Sequence, residues 1–393
     1  MQNTYVGSRG YMALGVQTDK STTVIPSRYV PYFKENLTTV MNKREQGSVK
    51  GNRNMVQDIL AGLRNHRGSV EVLAEPNTAA HIFNMFMTKG SPSGSGPYTH
   101  PFTVGDTENY YTVDIKKGYY VHRFIGVKAN SISPSWQDNE MHLNVDMTAL
   151  KHFEVATLSG TPTGSGPYTV TFSTDYDPAP TTGLVAGDTI EFNDGTTVTN
   201  ATVASVSGDT TITTVTNVTS YAAGTKVRIR AATPSFTLLT PFMWARTEFR
   251  FAADAATALS ATHTPGDEGS EWVLTHANES DDGAHQTGSY DPSDLRRTNF
   301  GAVLTFIETY ENDTQRMNFL ENEKQACVIR MFAGNTSDYE LRITLNNIKA
   351  TAQPVETAFE TVTKITSTYT AQYDSSDAQA VDVKVLNNLS TIA

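Results

Sequence analysis

Short runs of threonine and valine, broken every few residues by glycine, Asp-Gly or proline, constrain the fold of this chain more than any other feature. Branched side chains favour extended backbone, and the residues between the runs favour turns. Threonine is densest between residues 196 and 225. With 17 Tyr and 17 Phe, the chain can also fill a core, which argues against intrinsic disorder. The pattern predicts a mainly β protein.

Two short helices are expected to interrupt the strands. The first, at 77–88, follows Pro76 and carries apolar residues at helical spacing. The second, at 313–325, places Met317 and Leu320 on one face. Each helix follows a strand and precedes two more strands.

This order of elements occurs twice, which predicts a duplicated domain. In each half the sequence runs strand, helix, strand, strand, a Val/Ile-Lys-Ala stretch, and a further strand. The short stretches are 126–130 in the first half and 347–351 in the second. The shared order, rather than the short match, carries the inference.

A segment of different composition, from Gly160 to Thr233, lies between the halves and contains hairpin turn signals. It predicts a small β-barrel or sandwich inserted between two sheet domains. Two nearly identical Gly/Ser/Pro stretches, 91–99 and 161–169, are expected to be flexible entries into strands. The predicted domains are a first sheet domain with an N-terminal arm (1–159), an inserted β domain (160–233) and a second sheet domain (234–393).

Known catalytic and cofactor-binding motifs are not found in the sequence. It has no Walker-type phosphate loop, no Gly-x-Gly-x-x-Gly after a strand, no His-Glu-x-x-His and no cysteine pair. The segment 276–285 mixes imidazoles and carboxylates, so a metal site is conceivable there, but a solvated acidic loop is favoured. Asp175 and Asp177 could bind a hard cation, although a plain turn is favoured. Cys327 is expected to be a small core residue. The sequence therefore predicts no enzyme, no cofactor and no metal.

The charge and hydropathy of the chain limit the classes of partner that it can have. The net charge of −11 and the lack of a basic stripe with interleaved aromatics argue against a protein that grips nucleic acid. No run approaches the roughly 20 apolar residues of a membrane-spanning helix, and the first residues do not follow the order of a signal peptide. We expect a protein kept in the cytoplasm or released by lysis.

Several segments together resemble the tail tube proteins of long, non-contractile-tailed bacteriophages, in the class where one chain carries two tube domains. The segments that carry the resemblance are 13–18, 30–33, 67–72, Pro76 with its helix and Thr88-Lys89-Gly90, 370–374 and 383–388. It covers both halves but not the inserted segment.

The resemblance implies a structural protein of the virion tail, assembled in the host cytoplasm. Tube domains of this family form rings with a continuous inner β-barrel, and the rings stack into a hollow tube through which DNA passes. A chain with two such domains would close a pseudo-hexameric ring as a homotrimer. The implied partners are further copies of the chain, a tape measure protein, a tail terminator, distal tail or baseplate proteins, and DNA in transit without specific binding.

Two alternatives stay open from the residues alone. A carbohydrate-binding or adhesive β-protein of a virion or cell surface would be marked by an exposed aromatic cluster on the insert, whose aromatics include Phe172, Tyr176, Phe192 and Tyr221. A hydrolase would depend on the acidic, histidine-containing segment alone.

Two sets of residues are candidates for tube function. An acidic lumen would repel DNA and let it slide, and its candidates on inner strands are Glu35, Glu71, Asp146 and Glu308. Two long stretches, 44–67 and 253–294, are expected to be irregular loops in equivalent places.

Opposite charge on the two stretches predicts that they guide ring stacking. Residues 43–67 carry six Lys or Arg against two acidic residues, whereas 253–294 carry nine acidic residues and no Lys or Arg. The predicted ring-stacking residues of the first stretch are Arg44, Lys50, Arg53, Met55, Ile59, Leu60, Leu63, Arg64 and Arg67. Because exposed ion pairs contribute only about 0–1 kcal/mol each, the apolar members are expected to supply most of the adhesion.

Overall fold

The computed structural model describes residues 10–46, 58–107, 109–118, 120–174, 180–278, 283–310, 314–334, 338–356 and 362–392. The chain is mainly β, with 54% of residues in strands and 8% in helices, which confirms the fold class predicted from the Thr/Val runs. No helix in the described part of the chain is long and apolar enough to cross a membrane.

The elements are numbered in chain order. The strands before the insert are β1 (Met12–Val16), β2 (Arg28–Val30), β3 (Tyr32–Glu35), β4 (Thr38–Met41), β5 (Arg44–Gln46), β6 (Asp58–Leu60), β7 (Arg64–Leu73), β8 (Thr88–Lys89), β9 (Tyr98–Thr103), β10 (Tyr111–Lys117), β11 (Tyr120–Gln137), β12 (Glu140–Ala149) and β13 (Lys151–Phe153). β14 (Ala156–Thr157) comes just before the insert, which contains β15 (Tyr168–Thr171), β16 (Thr189–Asn193), β17 (Val198–Ser207), β18 (Thr211–Thr214) and β19 (Lys226–Ile229). The later strands are β20 (Phe242–Ala252), β21 (Glu271–Asn278), β22 (Ala284–His285), β23 (Pro292–Asp294), β24 (Arg297–Thr309), β25 (Gln325–Ala333), β26 (Glu340–Ala352), β27 (Val355–Glu356), β28 (Lys364–Ala371) and β29 (Val381–Asn387). The helices are α1 (Pro76–Phe86), α2 (Ala255–Ser260) and α3 (Thr314–Leu320), with a 3-10 turn at Pro180–Gly183.

Eight antiparallel strands close a barrel in the order β12, β11, β21, β24, β28, β26, β25, β20. One pair, Glu140 opposite Met243, joins β20 back to β12. The sheet also continues from β12 to β7 and then to β3 and β4, and from β11 to β10, β1 and β2. The two halves of the chain therefore share one hydrophobic core.

Two groups of four strands have the same order and the same register. The first unit is β7, β12, β11 and β10, and the second unit is β24, β28, β26 and β25. Val-Lys-Ala at 127–129 and Ile-Lys-Ala at 348–350 occupy equivalent places in β11 and β26. Lys128 lies opposite Thr148, and Lys349 lies opposite Thr370.

Each unit also contains two irregularities at matching places. Between β10 and β11 the pairing steps from Tyr111–Val127 to Val113–Phe124, and between β25 and β26 it steps from Gln325–Ile348 to Cys327–Leu345. The second irregularity follows Ala129 in β11 and Ala350 in β26. Bulges change strand direction, so the matching positions give the two sheets the same local bend.

Helix α1 is the centre of the core. All eleven of its residues are buried, and it contacts β9, β11, β26 and β29. The carboxylate of Glu75 caps its first turn by accepting from the backbone N–H groups of Asn77 and Thr78. Arg28 balances this buried charge at 2.5 Å. The predicted helix at 77–88 thus begins at Pro76 and ends at Phe86.

The prediction of an irregular loop at 253–294 is wrong. This stretch contains α2 and β21, and β21 is one of the eight barrel strands. Trp272 and Leu274 are buried, and they alternate with more exposed neighbours as in a half-buried strand. The many acidic residues around the strand concealed this alternation.

The inserted segment, together with β14 just before it, forms a separate sheet in the order β14, β19, β16, β17, β18, β15. A bridge between Leu158 and Phe172 brings the two ends of this sheet together, as in a small barrel. Its core also takes Tyr11, Ala13 and Val121 from the first half of the chain. The predicted strands of the insert are present.

The two Gly/Ser/Pro stretches are ordered hairpins, not flexible joints. Ser93 and Thr99 exchange two backbone hydrogen bonds of 3.0 and 2.8 Å, and Thr163 and Thr169 exchange two of 3.0 and 2.7 Å. Glycines occupy the left-handed positions in both loops, for example Gly94 at φ 101°. The repeated sequence therefore specifies a repeated turn.

Candidate assembly surface

The barrel sheet exposes a continuous polar face. Directly opposite residues on neighbouring strands share a face. One such row crosses β7, β12, β11, β21 and β24 and consists of Ser69, Asp146, Ser131, Thr275 and Gly301. Their strand neighbours Val70, Val145 and Ile132 are buried in the core. This row of the outer face thus consists of small and polar side chains.

Two of the four predicted lumen residues lie on this face. Asp146 accepts a hydrogen bond of 2.8 Å from the hydroxyl of Ser131. Glu71, in the same face of β7, accepts from Gln137 Nε2 and contacts His142 Nδ1, each at 2.8 Å. Lys34 is paired directly with Glu71 across β3 and β7, and it is exposed. The face therefore carries both signs of charge.

The structure places the other two lumen candidates on the core side of their strands. Glu35 lies opposite the buried Val70, and its carboxylate binds Lys117 at 2.8 Å. Glu308 lies opposite the buried Ile365. Strand alternation separates these carboxylates from Glu71 and Asp146, and the sequence could not assign the facing side.

An open sheet edge lies beside β7 of the first unit, at β3 and β4. Among the described strands, β3 and β4 pair with β7 alone. Phe33 on β3 is 55% exposed and stacks on His142, with ring centroids 4.1 Å apart. Val40 on β4 is 47% exposed. An edge with unpaired backbone groups can accept a strand from another chain.

The predicted ring-stacking stretch contains a hairpin of β5 and β6. Its apolar members Ile59, Leu60 and Leu63 are all exposed. Lys50, Arg53 and Met55 lie outside the described residues, and Arg44 is described only by its place in β5. The three described apolar residues of the predicted contact therefore lie at the surface.

Arg64 already has a partner in the acidic stretch of its own chain. Its guanidinium lies 3.7 Å from Asp291 and 5.7 Å from the centre of the Tyr290 ring. Its backbone N–H donates to the carbonyl of Tyr290 at 2.8 Å. At this point the opposite charges join two segments within one molecule. Arg67 is exposed, and it lines the same surface depression as Asp146 on the polar face.

A buried ion cluster attaches the insert to the first unit. Arg123 of β11 contacts both oxygens of Asp114 at 2.7 and 2.9 Å, and both oxygens of Asp188 at 2.7 and 3.0 Å. It also donates to the carbonyl of Gly183 at 3.0 Å. Burial opposes the charge of Arg123, but the two carboxylates keep its pKa above the usual range. Because Asp188 belongs to the insert, this cluster fixes the insert's orientation.

A chain of hydrogen-bonding groups runs beneath β4. Asp291 Oδ1 lies 3.1 Å from His66 Nε2, and Thr39 Oγ1 lies 2.8 Å from His66 Nδ1. The same hydroxyl lies 2.7 Å from His152 Nδ1, and His152 Nε2 lies 3.1 Å from His122 Nδ1. Burial, followed by the neighbouring histidines and Lys117, lowers the pKa of His152 to about 3.

This histidine chain matches neither the His-Glu-x-x-His pattern nor a cysteine pair, so it was not predicted from the sequence. His152 and Glu154 are two residues apart at a strand and its end. A His-x-Glu pair in a strand places both side chains on one face, and this spacing is the signal that the sequence contains.

The metal candidate at 276–285 is only partly described. His276 lies in β21, and its Nε2 is 3.0 Å from the carbonyl oxygen of Phe86, at the end of α1. Residues 279–282, as well as Asp175 and Asp177, lie outside the described residues. Cys327 is a buried core residue as predicted, and burial raises the pKa of its thiol.

The aromatic residues of the insert do not form an exposed cluster in the described part. Phe172, Phe192 and Tyr221 are each at most 1% exposed. Tyr176 lies outside the described residues. These three rings fill the core of the insert and do not lie at its surface.

Searches against protein-family models and curated proteins find no match to this chain.

Proposed function

We propose that this chain is a structural protein that assembles into stacked rings and forms a hollow tube, such as the tail tube of a long-tailed bacteriophage. The observation that carries the proposal is the shared register of the first and second units. Four strands, a Val/Ile-Lys-Ala stretch and two bulges recur in the same places. Two copies of one domain in the chain explain this correspondence.

A duplicated sheet domain suits ring assembly. Two equivalent units per chain would make three chains a ring of six, with neighbouring units related by similar contacts. The open edge at β3 and β4 supplies backbone groups for pairing with the next chain. Pairing around a closed ring would leave this edge covered, which also prevents irregular aggregation.

In this proposal the polar face lines the channel. The row from Ser69 to Gly301 carries small hydroxyl side chains and one carboxylate. Such a surface offers DNA few cations to bind. Glu71 and Asp146 are the candidates for the lumen, and their neighbours Lys34 and Arg67 make its charge mixed rather than uniformly acidic.

The insert would point away from the channel, because that position leaves the lumen open. The exposed Ile59, Leu60 and Leu63 would contact the next ring. A tape measure protein inside the tube, and terminator and distal tail proteins at its ends, are the partners that the tail role implies.

The proposal is tested by assembly of the purified chain at increasing concentration, followed by light scattering and negative-stain electron microscopy. Val40→Lys places a charge on the exposed edge strand β4 and is expected to reduce assembly at least tenfold while the chain stays folded. Charged edge residues oppose strand pairing between chains.

The matched control is Val215→Lys, which makes the same substitution at another exposed valine. Val215 belongs to the insert and is 66% exposed. This variant is expected to assemble like the parent. Unchanged assembly of Val40→Lys, or an equal loss in both variants, would contradict the role of the β3–β4 edge.

A further inference from the structure

His122, His152 and Glu154 are held on one face of two paired strands. In the register of β11 and β13, Phe124 lies opposite His152. Extending that register by two residues brings Glu154 opposite His122. Alternate residues of a strand project to the same side, so the two imidazoles and the carboxylate converge. One nitrogen from each ring and one oxygen of Glu154 lie within 4.8 Å of one another.

The spacing of the two nitrogens fits a shared ligand. His122 Nδ1 and His152 Nε2 are 3.1 Å apart. Two imidazole nitrogens at zinc bond lengths of about 2.0–2.1 Å in a tetrahedral site are about 3.3 Å apart. The separation of the two nitrogens is therefore close to that of two ligands on one ion. The site borders a cavity of about 320 Å³ that also contacts Thr39 and His66.

Outer groups hold the ring of His152 from the side away from His122. Thr39 Oγ1 lies 2.7 Å from His152 Nδ1 and 2.8 Å from His66 Nδ1, and His66 Nε2 lies 3.1 Å from Asp291 Oδ1. His152 is thereby oriented with Nε2 towards His122 Nδ1, as in metal sites where an outer group holds the ring. A bound metal ion would replace the hydrogen bond between these two nitrogens.

The nearby cations are engaged elsewhere. Lys117 binds Glu35 at 2.8 Å, and Arg64 lies 3.7 Å from Asp291. Glu154 is exposed at the mouth of the site, so an ion can enter from solvent.

We propose that His122, His152 and Glu154 bind a divalent transition metal, with Zn²⁺ the best match to two imidazoles and one carboxylate. The fourth position would be open to water. Glu154 lies between β13 and β14, where the chain enters the insert, whereas His122 belongs to β11. The metal would therefore tie the entry of the insert to the first unit, on the opposite side of β11 from Arg123.

The test is titration of the metal-free full-length chain with Zn²⁺ by calorimetry, with Co²⁺ as a spectroscopic probe. We expect one ion per chain, a visible Co²⁺ spectrum of tetrahedral type, and a Zn²⁺-dependent rise in Tm. Glu154→Gln and His122→Asn are each expected to weaken binding more than about 100-fold. Thr39→Val removes the hydroxyl that orients His152 and should weaken binding about 10–100-fold.

Glu271→Gln is the matched control, because it neutralises another exposed carboxylate at a strand. It should bind Zn²⁺ like the parent. No saturable binding by the parent, or binding that persists in both Glu154→Gln and His122→Asn, would overturn the proposal. Since the titration uses unassembled chains, its result is independent of tube formation.

Discussion

The first and second units pair their strands in the same register, yet different structures cover the same place on each. Asp114 opposite Arg123 in the first unit corresponds to Val328 opposite Thr344 in the second. The charged pair receives Asp188 of the insert, whereas Val328 packs with Ala258 of α2. The strand pairing is thus common to both units, and a few side chains decide what docks on it.

The helices of the two halves also differ in how deeply they are buried. Helix α1 is buried throughout and contacts strands of both halves, whereas α3 leaves Met317 45% and Leu320 59% exposed. One shared core has room for one central helix. The helix of the second half therefore lies at the surface, although both helices were predicted from similar patterns.

The largest effect on stability is expected when Arg123 of the charged pair is replaced. Arg123→Ala leaves Asp114 and Asp188 buried without their partner, which should lower the free energy of unfolding by about 3–5 kcal/mol. Chemical denaturation followed by far-UV circular dichroism measures this change. The equivalent substitution in the second unit, Thr344→Ala, should cost less than about 1 kcal/mol. Equal losses of stability in Arg123→Ala and Thr344→Ala would contradict the claim that only the first unit is covered through a buried ion cluster.

Substitutions in the two helices should lower the free energy of unfolding by amounts that differ nearly as much. Ile82→Ala in α1 opens a cavity in the shared core and is expected to cost about 2–5 kcal/mol. Leu320→Ala in α3 removes a mostly exposed side chain of similar size and should change stability by about 0.5 kcal/mol or less. Urea unfolding of both variants makes the comparison. A loss above about 2 kcal/mol in Leu320→Ala would mean that α3 is packed like α1.

A smaller effect is expected in the pH dependence of stability. Burial, then Arg28, Lys89 and His100, lower the pKa of His81 in α1 from 6.5 to about 3. Below pH 6.5 the unfolded chain binds a proton that the folded chain rejects, so stability falls as pH falls from 6.5 towards 3. At pH 5 the loss from this residue is about 2 kcal/mol. His81→Gln removes the group, so its stability should drop less between pH 7 and pH 5. An unchanged pH dependence would show that His81 is not held neutral.

The strands and the overall β class could be predicted because they follow from local alternation and turn residues. The strands at 168–172 and 226–229, the helix after Pro76 and the burial of Cys327 are examples. Strand β21 was missed because acidic residues obscured the buried Trp272 and Leu274.

The candidate sites could be predicted only in part, because they depend on contacts far apart in sequence. The facing side of Glu35 is set by a bulge in the pairing of β3 with β7, which no local pattern reveals. The ion cluster joins Arg123 to Asp188, which is 65 positions further along the chain. Arg64 is a predicted ring-stacking residue, and its contact with Asp291 of the same chain joins two segments 227 positions apart, which no local pattern reveals.

The central claim is that each chain contributes two equivalent units to a closed ring. Native mass spectrometry of the assembled protein, combined with electron-microscopic class averages of end-on views, tests it most directly. The account predicts rings of three chains with six similar lobes around an open channel. Rings of six chains, or a chain that stays monomeric at every concentration at which it remains soluble, would contradict it.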